Sequence, residues 1–264
     1  MMPLIGEQLP FRKIVSKSTQ LFLVLSIFPA MAYLKINREA LGFAERSLFL
    51  KQLLQGFALG FITLIPVFIV LYALGVHVID ETKTWTAGLL AKKLILELLL
   101  ALIISLIEEP VFRGILLSGL KKKLPIIAAI LLSAFYYAAL HFLNSKTEIP
   151  AQELTLFSGF KLLGAAFANL LNPEILPAFF ALFMVGVFLA TLRTKVKAGL
   201  GLCIGCHTGW VWQIKMSKSV FNTDLNSDYL FLVSPYDGVI GPLVSAWLMV
   251  ALMGYFVYQR LNKS

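Results

Sequence analysis

Glu108, Glu109 and Arg113 sit within one apolar segment, ALIISLIEEPVFRGILLSG. Ionisable groups inside such a run are costly, so each is a functional candidate by default. On a helix Glu109 and Arg113 lie one turn apart on a shared face and are expected to neutralise each other, whereas Glu108 points away and stays available for proton transfer. Pro110 removes a backbone donor and is expected to kink the helix beside Glu108, which makes room for a polar cavity. The plainer alternative is a turn between two helices at the membrane surface, with EEP capping an N-terminus and all three charges wet. The runs Leu94–Ile107 and Ile115–Leu120, interrupted only by Glu97, Ser105 and Ser118, weigh against it.

His141 closes a second apolar stretch, AFYYAALHFLN, with Tyr137 one turn earlier on the same face. Alone, a histidine at a helix end is as readily a packing or surface residue. His207 is immersed in GLGLCIGCHTGWVW, where Gly199, Gly201, Gly205 and Gly209 permit close approach of a neighbouring helix. Glu108 and the two histidines are the groups best able to transfer protons or ligate a metal. Cys203, four residues before His207 on its face, offers a thiol nucleophile, although cysteine in an apolar span is ordinarily packing.

These groups need elements suited to their solvent. Of the 264 residues 59% are hydrophobic and 14% charged, with a mean hydropathy of +0.84. Soluble domains average about 25% charged residues, so much of this surface must meet lipid, which excludes a large extramembrane domain. Apolar runs at 19–34, 53–76, 90–107 continuing to about 120, 125–143, 175–192, 198–214 and 239–258 are each long enough, or nearly so, to cross. All are expected to be helices, because backbone groups in lipid are satisfied within the segment and no period-2 barrel pattern occurs. The predicted fold class is all-α, a polytopic integral membrane helical bundle of seven to eight transmembrane helices. The number turns on whether 90–120 is one long kinked helix or two. No repeat or Pro/Gly/Ser linker divides residues 1–264, which read as a single transmembrane domain.

The 23 Lys+Arg against 14 Asp+Glu give a net charge of +9. No basic stripe interleaved with aromatics and no helix-turn-helix or zinc-finger spacing accompanies it, so nucleic acid is not an expected partner. The cations read instead as loop residues that meet anionic lipid and set topology. Lys121 to Lys123, Arg193 with Lys195 and Lys197, and Arg260 with Lys263 are successively two spans apart. All three clusters therefore share a side, assigned to the cytoplasm. Loops 144–174 and 215–238 then face outward, and His141 lies near the outer end of its span. The run after Arg12, Lys13 and Lys17 has no small-residue cleavage site and reads as a retained span. Cys203 and Cys206, three residues apart, do not suit a disulfide. Trp85 and Tyr229 are expected as aromatic-belt anchors, 151–171 as a surface-lying or dipping segment, and His77, before Asp80 and Glu81, as a solvated residue.

Three motifs occur in order: EEPVFR from Glu108 to Arg113, YAALH from Tyr137 to His141, and HTGWV from His207 to Val211. In this order, spacing and polytopic setting the chain resembles, over roughly residues 90–215, the glutamic-type intramembrane proteases of the CAAX-protease and bacteriocin-processing family. The resemblance implies a hydrolase that needs neither cofactor nor metal. Its partners would be a lipid bilayer, of prokaryotic plasma (inner) membrane type, and a membrane-associated peptide or protein substrate, lipidated or simply hydrophobic. It also implies an active site opening toward the cytoplasm. Glu108 with His141 would activate a water for attack on a peptide carbonyl, and His207 would stabilise the oxyanion. Glu109, Arg113 and Tyr137 would support them.

Two positions depart from the family pattern. Tyr137 stands where Phe is more usual, and Val211 where an Asn is often found. Loss of one oxyanion donor typically costs about 10²–10³ in rate. Val211 therefore implies lower activity, a substitute donor such as the indole N–H of Trp210, or a non-proteolytic branch that binds hydrophobic peptides as a scaffold. A metal-dependent version would use Glu108, His141 and His207 as ligands with water in the fourth position, although no HExxH pair is present. A transporter is disfavoured, since only one broken-helix candidate, at Pro110, is found.

Overall fold

In the computed structural model, which describes residues 10–262, nearly all regular structure is helical. Lys263, assigned above to a cationic cluster, lies outside the described residues. Helix α1 (Phe11–Leu34) ends at Lys35 in the left-handed region, φ 50°. The short α2 (Arg38–Leu41) is started by Asn37, whose side chain accepts from the Ala40 N–H. It leads into α3 (Arg46–Ala73). After strand β1 (His77–Ile79), α4 (Ala87–Glu109) starts at Thr86, whose hydroxyl accepts from the Leu89 N–H. A π-helical stretch, Pro110–Leu116, continues α4 without a break into α5 (Leu117–Lys121). There follow α6 (Ile126–Phe142), α7 (Ser158–Leu170), α8 (Leu176–Lys195), α9 (Leu200–Val220), strand β2 (Phe221–Thr223) and α10 (Pro242–Leu261).

Residues 90–120 are thus one helical path. Pro110 has no N–H to offer the preceding turn, and the chain answers with a widened, π-helical turn, one of the usual sites of a helix kink. Ser133 of α6 steadies that turn by donating to the Phe112 carbonyl at 3.2 Å. The all-α expectation needs one amendment, a two-stranded antiparallel pairing that sets His77 opposite Thr223. By length and composition Arg38–Ala73, Pro173–Lys195 and Pro242–Leu261 can cross a bilayer, and Leu25–Leu34 and Ile126–Phe142 are shorter apolar helices. In α4 the charges of Lys92, Lys93, Glu97, Glu108 and Glu109 interrupt the apolar character.

The tightest packing joins α3 and α9. A Cβ on Gly56 would overlap the Leu202 carbonyl, one on Gly205 the Leu53 carbonyl, and one on Gly209 would fall 2.9 Å from the Phe57 carbonyl. Backbone therefore lies against backbone, and only glycine fits. This is the close helix approach expected of the Gly-rich run. On the other side of the bundle α6 packs on α8, where Gly186 meets Ala134. One core cluster unites residues of α3, α6, α8, α9 and α10, among them Leu71, Ala138, Leu189, Cys206 and Leu248.

The cationic ends do converge. Lys122 donates to the Leu34 carbonyl at 2.6 Å, Arg193 to the carbonyls of Leu41 and Ala40, and the Leu200 N–H to the Gly42 carbonyl. Lys195 lies over the Phe256 ring near the end of α10. At the opposite end sit the strand pair and the contact of Arg12 with Ser145 and Glu148. His77 is not solvated as expected. It is 4% exposed, stacks against Phe221, and its Nε2 lies 2.8 Å from the Gly238 carbonyl, because the strand pair folds the 221–241 segment over it. Helix α7, only 13 residues long, is too short to cross and exposes Phe160, Leu163 and Phe167, in keeping with a surface-lying segment.

Candidate active site

The wide turn at Pro110 leaves two consecutive carboxylates in opposite surroundings. Glu109 is fully buried, with Arg113 NH1 at 3.3 Å and His207 Nδ1 at 2.8 Å from the same oxygen, Oε1. Arg113 is 1% exposed and lies over the Tyr137 ring at 4.3 Å, a cation against an aromatic face. The expected Glu109–Arg113 pair is therefore present. It has a third member that spacing gave no hint of, since Glu109 also holds His207. By accepting from Nδ1–H the carboxylate fixes the orientation of the ring.

Glu108 is a quarter exposed, yet its Oε2 is buried and has no hydrogen-bond partner among the described residues. That oxygen lies 3.9 Å from Nε2 of His141 and 4.0 Å from Nε2 of His207. His141 is aimed by its Nδ1, 2.8 Å from the Tyr137 carbonyl one turn earlier in α6. Tyr137 packs on both imidazoles and edge-on to Phe112. Three helices, α4, α6 and α9, thus bring together Glu108, His141 and His207, with Glu109, Arg113 and Tyr137 behind them. The separations are too long for direct hydrogen bonds and leave Glu108 Oε2 open to a water placed beside the three groups.

Both histidines line a cavity of about 480 Å³. Its walls include Leu182 and Val185 of α8, Trp210 and Val211 of α9, and Val244 and Trp247 of α10. Trp210 is there, but its indole N–H donates to Thr63 Oγ1 at 2.8 Å, and Trp247 donates to the Thr63 carbonyl at 2.7 Å. One threonine of α3 pins both indoles, so the Trp210 N–H is not free to face a substrate. Val211 lines the cavity as an apolar wall. Cys203 is turned away, its thiol donating to the Leu189 carbonyl of α8. Among the described residues no group of three or more His, Cys, Asp or Glu side chains is arranged to hold a metal ion.

Lys215, Lys218, Tyr236 and Asp237 also line the cavity, and they belong to the strand-pair end of the molecule. Lys215 is bridged to Glu97 at 3.1 Å, and Asp237 accepts from the N–H groups of Val239 and Ile240. Burial first, then Asp237 and Glu108, push the Tyr236 phenol up to about 12, so it keeps its O–H at neutral pH. None of Thr63, Tyr236, Asp237 or Trp247 was legible as a site residue. They come from distant elements, and no local pattern marks them. The rim and the three cationic clusters lie at opposite ends of the bundle. An opening toward the cytoplasm and cytoplasmic cationic ends are therefore mutually exclusive expectations.

No curated protein and no solved structure gives a match. Against protein-family models, residues 90–213 match that of the Rce1-like type II CAAX prenyl endopeptidases. The matched stretch carries Glu108, Glu109, Arg113, Tyr137, His141, His207 and Trp210, while Thr63, Tyr236 and Trp247 flank it. With its apolar helices the chain is an integral membrane protein, and its residues 90–213 are similar to the Rce1-like type II CAAX prenyl endopeptidases, which are hydrolases.

Proposed function

We propose that the protein is a glutamic-type intramembrane endopeptidase that hydrolyses peptide bonds of membrane-associated, hydrophobic or lipidated substrates in a plasma-type membrane. The observation that carries this reading is the unpartnered Glu108 Oε2 facing two imidazole nitrogens at 3.9 and 4.0 Å, beyond direct hydrogen-bond distance. A water there donates one proton to Glu108 and a second hydrogen bond to Nε2 of His141, whose Nδ1–H is engaged by the Tyr137 carbonyl. As its oxygen attacks the carbonyl carbon, the proton passes to Glu108. The oxyanion that forms faces the His207 ring, which Glu109 holds in place through Nδ1. On collapse the C–N bond breaks and Glu108 returns the proton to the leaving amine. With Val211 apolar and the Trp210 N–H engaged, Tyr236 offers a phenolic donor at the rim of the same cavity and keeps its proton. We assign it the second oxyanion contact.

Cleavage of membrane-tethered peptides by the purified protein, with Glu108→Gln as control, tests this. Turnover that depends on Glu108 and survives chelators is expected. Peptide binding with no Glu108-dependent cleavage would establish the scaffold alternative, and loss of activity on chelation the metal-dependent one. Sidedness has its own measurement. Cysteines placed at Lys218 and Lys122, both exposed, are expected to react with an impermeant reagent from opposite faces of the membrane. Labelling of both from one face refutes the arrangement.

A further inference from the structure

A second cavity, of about 530 Å³, opens at the start of α4 and is bordered by Thr82, Thr84, Trp85, Leu89, Lys92 and Lys93. Its charges do not balance. Lys83 is met by Asp80 at 2.8 Å, but Glu97 must serve both Lys93 at 3.2 Å and Lys215 at 3.1 Å. Lys92 is exposed and has no acidic partner among the described residues. The groove therefore carries uncompensated positive charge, to which an anion is complementary.

Depth and neighbouring surface say which kind of anion. From Lys92 to Lys121 the helical path covers about 43 Å at the α-helical rise, and a bilayer with its headgroup layers is about 40–45 Å thick. A path of that length allows Lys92 and Lys121 to reach the two headgroup levels of one bilayer. Lys92 also shares a face of α4 with Leu89, Leu96, Leu100 and Ile103, at spacings of three and four residues. Those four side chains are 48–55% exposed, a strip of apolar surface that starts at the ammonium and runs toward the bilayer interior. Trp85, 38% exposed, sits at the same level, where indoles favour the interface. Free phosphate or a peptide carboxylate uses the lysines and leaves the strip uncovered.

We infer that this groove binds one anionic diacyl phospholipid, with its phosphate at Lys92 and Lys93 and an acyl chain along Leu96, Leu100 and Ile103. Native mass spectrometry of the full-length protein in detergent, supplied with phosphatidylglycerol or phosphatidylcholine, tests it. Phosphatidylglycerol is expected to be retained preferentially, and Lys92→Gln to weaken its retention about fivefold, the effect of one ammonium at an anionic membrane surface. Lys122→Gln, at the other end, is expected to leave retention unchanged. Equal retention of the two lipids overturns the inference, as does full retention by Lys92→Gln. A third arm separates the sources of phosphate. If inorganic phosphate shields Lys92 from acetylation as well as phosphatidylglycerol does, the site reads a phosphate group alone and the lipid assignment fails.

Discussion

The face of α9 turned to α3 and the face turned to α4 and α6 are packed by opposite rules. Along the first, Gly205 and Gly209 admit the backbone of α3 to direct contact, with no room for a Cβ. Along the second, the His207 ring stands 4.0 Å from a carboxylate oxygen that it faces together with His141 and that has no hydrogen-bond partner among the described residues, and cavity follows. The dry face is fixed by shape. Close-packed backbones resist displacement, so His207 is held firmly on a helix that cannot slide. The polar face leaves Glu108 and the two imidazoles short of direct hydrogen bonds beside a cavity, and the dry face holds that spacing. Glu109 couples the two rules, being as buried as the glycines yet bonded to His207.

Glu108→Gln is the sharpest way to set the faces apart. Loss of the general base is expected to lower kcat by about 10²–10⁴-fold and to leave thermal unfolding in detergent unchanged, measured on the same preparation. A parallel fall in Tm would make Glu108 a structural residue and erase the contrast. Glu109→Gln is expected to behave differently, because it strands Arg113 in the interior. Breaking such a buried pair costs about 3–5 kcal/mol, to be read as a large drop in Tm along with activity. Tyr236→Phe removes only the phenol O–H. A fall in kcat of up to about 10²-fold with KM and Tm nearly unchanged is expected, the effect of one oxyanion donor. An unchanged kcat would return the missing donor to some other group. On the dry face, Gly205→Leu forces α3 away and is expected to cost about 1–3 kcal/mol of stability. Gly164→Leu in α7, where a Cβ meets nothing within 4 Å, serves as the neutral control.

Much of the site was readable from residue type alone. Carboxylates and imidazoles in apolar runs carry an insertion cost that makes them conspicuous, so Glu108, His141 and His207 stood out before any helix was positioned. The glycine pattern of α9 announced a close neighbour, but only the fold identified it as α3. Misreadings arose where long-range contacts outweigh local character. His77 looked solvated beside Asp80 and Glu81, yet the 221–241 segment covers it. Pro110 marked an irregular turn, and the fold gives it the form of a π-helical turn braced by Ser133. Trp210 looked free to donate, yet Thr63, 147 positions away, accepts its hydrogen bond.

By itself the amino-acid sequence determined the solvent, the secondary structure and the candidate chemistry. Hydropathy, helical period and the cost of a buried charge are local properties, summed over one turn or one span. Which oxygen of which glutamate stays unpartnered was decided by tertiary structure alone. So were Glu109 as the holder of His207, the end of the bundle from which the cavity is entered, and the place of Tyr236 and Trp247 at its edge. Each of these depends on how helices far apart in the chain are brought to within a few ångströms, and the backbone contact of α3 with α9 sets that distance.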